Sequence, residues 1–127
     1  IKVGDLPISQ VLSVEKDMLC EDALRLAVDH QSNEVVVVDC GVFIGTTTVT
    51  KLLSNQDRGL ASILLDNDFV LRADDDLAHA IDLIKNFIGE AIPVVDDSNM
   101  FLGGLSEGQI LTGAMDFQED LKRNERN

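Results

Sequence analysis

The chain repeats itself, and the repeat limits the folds open to it. Val14–Asp39, "VEKDMLCEDALRLAVDHQSNEVVVVD", lies over Leu71–Asp96, "LRADDDLAHAIDLIKNFIGEAIPVVD", at a constant offset and without a gap. Asp17 meets Asp74, Ala23 meets Ala80, Leu26 meets Leu83, Val38 meets Val95 and Asp39 meets Asp96; Leu24 meets Ile81. One inserted residue in the next turn carries the match on, with Phe43 over Phe101, Gly45 over Gly103, Thr48 over Ser106 and Leu53 over Leu111. Two units follow, at about 11–54 and 69–115, joined by the bridge "NQDRGLASILLD". Self-similarity at a fixed period marks a supersecondary unit that needs its neighbour to bury its apolar face.

Each unit reads as β-α-β-β-α. A short extended segment opens it, Leu12–Glu15 or Phe69–Arg72. An acidic helix start follows, then apolar residues at helical spacing: Leu19, Ala23, Leu26 and Ala27 in the first unit, and Leu77, Ala80, Ile81, Ile84, Phe87 and Ile88 in the second. "EVVVVD" and "AIPVVD" are strands, and Val35–Val38 lacks polar alternation, which predicts burial on both faces. A turn, a second strand ("VFIGTTT" or "FLGGLS") and a second helix complete the unit. The fold class is α/β, or α+β by stricter usage: two three-stranded sheets flanked by helices and related by a pseudo-two-fold.

Composition narrows the function classes. In 127 residues, 45% are hydrophobic but only five are Phe and none is Trp or Tyr, so the core is aliphatic. A net charge of −13 repels a phosphate backbone and argues against general nucleic-acid binding. No apolar run reaches the roughly 18 residues that span a bilayer. The chain begins at Ile1, which suggests a domain cut from a larger protein. Cys20 and Cys40 stand outside any CxxC or Cys/His cluster, so they read as reduced, half-buried thiols rather than zinc ligands. The expected location is the cytoplasm, alone or as the cytosolic part of a membrane protein.

Within this repeat, "AIPVVDDSNMFLGGLSEGQ" (Ala91–Gln109) and "EVVVVDCGVFIGTTTVTK" (Glu34–Lys51) resemble the strand-turn-strand-helix pattern of cystathionine β-synthase (CBS) domains. The chain as a whole resembles a tandem CBS pair, or Bateman module, with intertwined repeats at 1–58 and 59–116 and a charged tail at 117–127. The resemblance implies a regulatory, non-catalytic module that binds an adenosine-type ligand such as AMP or ATP in a cleft between repeats, requires no cofactor for folding, and controls an attached transporter or enzyme. It also implies a homodimer, for which Leu24, Leu26, Ile81 and Leu83 offer apolar helix faces. By the family pattern, Thr48 and Ser106 take the phosphate-contact positions. Leu12 and Val36 line one adenine pocket; Phe69, Val70, Ile92 and Pro93 line the other. Lys51 and Gln109 stand where the family places a ribose-binding Asp. Lys51 has no acceptor for a diol and suits an added phosphate instead, whereas Gln109 accepts without charge assistance. Two alternatives accompany this reading: a ligand-free dimerisation or interaction module, and a divalent-cation (Mg) sensor.

Other features read structurally. Asp74–Asp76 fits a helix N-terminus, where carboxylates cap N–H groups and complement the dipole. Asp39, Asp96 and Asp97 suit turns. His30 reads as a surface residue at a helix end, and His79 lies on the first helix of the second unit; neither joins a nucleophile or metal-ligand set. Gly103 allows close approach, by a strand or by a ligand. "FQEDLKRNERN" reads as a frayed helix end or a disordered terminus.

Overall fold

A computed structural model describes residues 1–66 and 69–125. The first unit runs β1 (Ser13–Glu15), α1 (Cys20–Asp29), β2 (Glu34–Asp39), β3 (Val42–Thr48) and α2 (Val49–Ser54). The second runs β4 (Leu71–Arg72), α3 (Leu77–Ile84), β5 (Ile92–Val95), β6 (Phe101–Leu105) and α4 (Glu107–Glu125). Each unit forms a three-stranded sheet in which the opening strand lies parallel to the central one and the last strand is antiparallel. Val35–Val38 is buried throughout, and so is Ile92–Val95. No helix among the described residues is long and apolar enough to cross a membrane.

The sequence offset is also the structural one. Val14 pairs with Val37, and at the equivalent positions of the second unit Leu71 pairs with Val94. The ladder slips between Val37 and Val38 and again between Val94 and Val95. Past this bulge the equivalent pairs are Val38–Phe43 and Val95–Phe101, so the extra residue of the second unit sits in the intervening turn. Positive φ angles close these turns, at Cys40 (49°) and Gly41 (87°) in one and at Asn99 (64°) in the other.

The pseudo-two-fold passes between those turns. Phe43 N donates to Asn99 O and Phe101 N donates to Gly41 O, both at 2.9 Å. Phe43 and Phe101 are repeat equivalents, as are Gly41 and Asn99, so the rotation exchanges the two bonds. The Phe43 and Phe101 rings stand 6.4 Å apart beside them.

The units also exchange segments. A 3-10 turn at Val3–Asp5 packs Val3 and Leu6 into the core of the second unit, beside Leu71, Ile92 and Ile110. Its repeat equivalent, a 3-10 turn at Leu60–Ile63, packs Leu60 and Ile63 into the core of the first unit. Ser9 then pairs with Gly104 through two 2.9 Å backbone bonds, while Leu65 N donates to Thr46 O at 2.8 Å. Gly103 is required at the first of these contacts: at its φ of +142° a Cβ would collide with Ser9 O. Thr47, fully buried, is satisfied by donating to Ile63 O at 2.9 Å.

Several sequence expectations change. Leu19 is 62% exposed, because α1 turns Cys20, Ala23 and Ala27 inward instead. Those small side chains let the helix lie close to the sheet. Cys20 is therefore buried and Cys40 exposed, rather than both half-buried, and burial pushes the Cys20 thiol up. Leu24, Leu26, Ile81 and Leu83 are half-buried against their own cores and do not form a free face. The exposed apolar side chains are others, including Val28, Leu53, Leu111 and Met115. α3 stops at Ile84, which leaves Phe87 and Ile88 outside it. Asp76 occupies the N-cap position without a capping bond and pairs with Lys2 at 2.9 Å, while Asp75 accepts from Arg72 N in the preceding turn. α4 continues through 117–125; residues 126 and 127 of the tail lie outside the described residues.

Candidate ligand cleft between the two units

A cavity of about 260 Å³ opens where the first unit meets the second. Its floor is the central sheet, through Val36 and Thr46. The segment Gln10–Leu12 forms one wall, and Leu12 O accepts from Val36 N at 3.0 Å, fixing the wall to the floor. The C-terminal end of α1 forms another wall. There Gln31 takes a positive φ of 53°, with Gln31 N donating to Val28 O and Ser32 N to Ala27 O. This paired bonding ends the helix sharply and turns His30, Gln31 and Ser32 toward the cavity. Glu90 and Ala91 of the second unit close it.

The polar lining mixes donors with acceptors: Gln10, Gln31, Ser32 and Thr46 carry N–H or O–H groups beside the Glu34 and Glu90 carboxylates. His30 Nδ1 lies 2.9 Å from Leu26 O, which can only accept, so Nδ1 carries a proton and Nε2 of the neutral ring is an acceptor. Glu90 Oε1 accepts from Asn33 N and Nδ2 at 3.3 and 3.0 Å. Ser32 Oγ donates to Glu34 O at 2.7 Å. Burial holds the half-buried Glu34 carboxyl above its ordinary range; the Glu90 charge adds to the rise and a Glu90 backbone bond opposes it.

The pseudo-two-fold generates a second cleft with a different filling. Leu12 becomes Phe69, His30 becomes Phe87, Gln31 becomes Ile88, Val36 becomes Pro93, and Glu34 exchanges with Ala91. The Phe69 and Phe87 rings meet edge to face at 5.5 Å, leaving a crevice of about 20 Å³. That is room for about one water. Pro93 is buried at this crevice and Val70 is half-buried, whereas Ile92 is fully buried in the core of the second unit.

The remaining predicted positions lie at the two strand-to-helix junctions. Thr48 caps α2, its hydroxyl accepting from Lys51 N at 3.2 Å, and the Lys51 side chain is exposed. Ser106 and Gln109 form a reciprocal cap: Ser106 Oγ accepts from Gln109 N at 3.2 Å, and Gln109 Oε1 accepts from Ser106 N at 2.9 Å. Gln109 Nε2 also donates to Pro7 O at 3.0 Å and Ser9 Oγ at 2.7 Å. Ser106 and Gln109 thus border a separate groove of about 510 Å³ along α4. The structure brings Leu12 together with Val36, Phe69 with Pro93, and Ser106 with Gln109; neither Thr48 nor Lys51 lines the cavity that holds Leu12. Sequence reading missed His30, Glu34, Thr46 and Glu90 as cleft residues. The available signal was the repeat itself, since His30 and Glu34 stand over Phe87 and Ala91.

Among the described residues, three potential metal donors converge only at Glu15, Asp39 and Cys40. Glu15 already accepts from Cys40 N at 3.0 Å, and Asp39 pairs with Lys16 at 3.2 Å. Both carboxylates thus have a structural partner on an open surface.

Comparisons with known proteins agree with this architecture. Residues 60–116 match the CBS domain family model. Homoserine O-acetyltransferase of Methanocorpusculum labreanum is 30% identical over 108 residues, covering 82% of this chain but only 22% of that protein, so the chain spans about a fifth of this relative's length. A CBS domain pair/ACT domain protein from Thermotoga maritima superposes with a TM-score of 0.78 at 25% identity, over 91% of this chain and 98% of its own. The cytosolic domain of the Mg2+ channel MgtE, solved in complex with ATP, superposes with a TM-score of 0.75 at 22% identity, over 87% of this chain and 48% of its own.

Proposed function

From the premise that this chain is a tandem CBS-domain pair, with a CBS domain at residues 60–116 and the pair's fold throughout, we propose that it is a regulatory module. It binds one small adenosine-type ligand in the first inter-unit cleft and transmits that binding to an attached transporter or enzyme. The observation that carries this reading is the contrast between equivalent clefts: the first leaves about 260 Å³ and the second, filled by Phe69 and Phe87, about 20 Å³. The open volume approaches the lower end of ordinary small-molecule sites, roughly 300–1,000 Å³. It suits a nucleoside-sized body with its flat face against Leu12 and Val36. The ATP complex of the MgtE domain supports an adenosyl ligand by analogy of fold.

The site can act as a switch because both units line it. Glu90 and Ala91 come from one unit, Leu12, His30 and Val36 from the other. A ligand with different affinity for two arrangements of the units shifts their balance, and the shift passes to whatever either unit is joined to. Titration calorimetry and thermal unfolding with adenosine, AMP and ATP test the reading. Stabilisation by at least one of them, with one site per chain, is expected. No binding at millimolar concentration by any of them contradicts it.

One observation favours a second, compatible role as a dimerisation module. Leu53 and Leu111 are repeat equivalents on α2 and α4, and both are exposed, at 59% and 43%. Exposed leucines on both closing helices offer apolar area that a symmetric homodimer, which repeats one patch on both subunits, can bury. Sedimentation at low micromolar concentration is expected to give a dimer, and Leu53→Glu with Leu111→Glu a monomer. A wild-type monomer removes this role.

A further inference from the structure

The two units hold each other at two places related by the pseudo-two-fold. One is the pair of backbone bonds between the Phe43 and Phe101 turns. At the other, the start of β2 meets the segment before β5, and here acids make the contact. Glu90 reaches from the second unit into the first, where Oε1 accepts from Asn33 N at 3.3 Å and from Asn33 Nδ2 at 3.0 Å. Asn33 and Glu90 are repeat equivalents, so this contact also joins the two copies of one position. Glu34 reaches the opposite way. Its carboxylate lies so close to Gly89 that a Cβ there would stand 2.6 Å from Oε1 and 3.2 Å from Oε2. Glu34 borders both clefts, the open one with Glu90 and the filled one with Phe69 and Phe87. Asn33 passes the contact on, because its carbonyl accepts at 3.0 Å from Val49 N, the first residue of α2.

Two carboxylates from opposite units thus share one interface with little to offset them. Among the described residues, the one other titratable group lining either cleft is His30, at the end of α1; the Gln10–Leu12 wall, β3 and the Phe69 and Phe87 segments present none. The Lys and Arg ion pairs among them lie elsewhere. We propose that Glu34 and Glu90 form a proton-operated latch between the units: with Glu34 protonated the interface is closed, and with both carboxylates charged their repulsion draws Glu90 from Asn33 and loosens the units at this contact. Like charges at a half-buried interface cannot both ionise without cost. Burial is the main reason that the Glu34 carboxyl is held above its ordinary 4.5; the Glu90 charge adds to the rise and the Glu90 backbone bond opposes it. The latch is therefore closed below that raised value and opens as pH rises through it. The backbone bonds between the Phe43 and Phe101 turns do not titrate, so the units stay joined there and the motion is a hinge about those turns. The latch needs no ligand, so it stands or falls apart from the ligand reading of the cleft.

The test is an NMR titration of the ligand-free chain in low-salt buffer, following side-chain carboxyl and amide signals from about pH 3 to about pH 8, a range that brackets ordinary carboxylate and imidazole values. The Glu34 carboxyl is expected to titrate above 4.5, and the Asn33 backbone and side-chain amides and the Val49 amide to shift with the same midpoint, while the Phe43 and Phe101 amides stay in place. Glu34→Gln is expected to abolish the shift at Asn33. Glu90→Gln, a second variant should the first be poorly folded, is expected to move the Glu34 midpoint down toward 4.5, because it removes the like charge. His30→Asn is expected to leave both the shift and its midpoint in place. Asn33 signals that ignore the Glu34 titration, or that shift unchanged in Glu34→Gln, overturn the latch; a shift lost in His30→Asn assigns the transition to the imidazole and overturns it equally.

Discussion

Glu34 bears on folding and lies at the cleft proposed to take the ligand. Its side chain is half-buried at the unit interface, facing a second carboxylate, and burial is the main cause of its raised pKa. An acid whose pKa rises on folding binds protons more tightly in the native state. Its contribution to stability is therefore present below the unfolded value, near 4.5, and is lost as pH rises through the folded value. Glu34→Gln removes this loss. Melting curves of the ligand-free protein at pH 4.5 and 7.5 are expected to show Glu34→Gln gaining on the wild type as pH rises; a constant difference contradicts the assignment. Its signature in the sequence was its place at the start of "EVVVVD", where the repeat sets it over Ala91. Its partner across the cleft, Glu90, belongs to the other unit, far along the chain, and only the pseudo-two-fold packing brings them to one cavity. Gln109 shows the converse case. It was legible as a departure from the family's Asp, but its bonds to Pro7 and Ser9 were not, because they depend on an exchanged segment.

At the scale of elements, the periodic and apolar stretches were readable and the exchange between units was not. Val35–Val38 has no polar alternation and is buried on both faces as a central strand. The turn insertion inferred from alignment appears as the one-residue difference after the matched bulges. In contrast, "LASI" in the bridge looked like a short apolar run between domains, yet Leu60 is fully buried in the core of the first unit, beside Leu52 and Val35. Short 3-10 turns carry too few residues to show a period, and nothing local says which core they enter. Leu60→Ala is accordingly expected to cost about 2–5 kcal/mol, the range of a core leucine rather than a linker residue. The urea midpoint measures it, and a loss under about 0.5 kcal/mol contradicts the exchanged packing. The acidic triad at Asp74–Asp76 was read as a cap. In the folded chain Asp75 serves the preceding turn and Asp76 binds Lys2, which fastens the same exchanged N-terminal segment.

For the whole molecule, the repeat creates two equivalent clefts and then distinguishes them by side chains at several positions, two of which decide the filling. Leu12 and His30 leave one open; Phe69 and Phe87 fill the other. In the proposed reading, a pair built this way would take up one ligand per chain while retaining a two-fold frame, and binding would load the units unequally. The second unit also supplies the control for the first, because it shows that two phenylalanines fit at these positions with edge-to-face packing. Leu12→Phe combined with His30→Phe is therefore expected to narrow the open cleft toward the closed form, with thermal unfolding checking that the variant folds. Calorimetry of this double variant beside the wild type, with the tightest ligand of the adenosine series, tests the central claim directly. One site per chain in the wild type and none in a folded double variant is the expected result; two sites in the wild type, or unchanged binding in the variant, would contradict it.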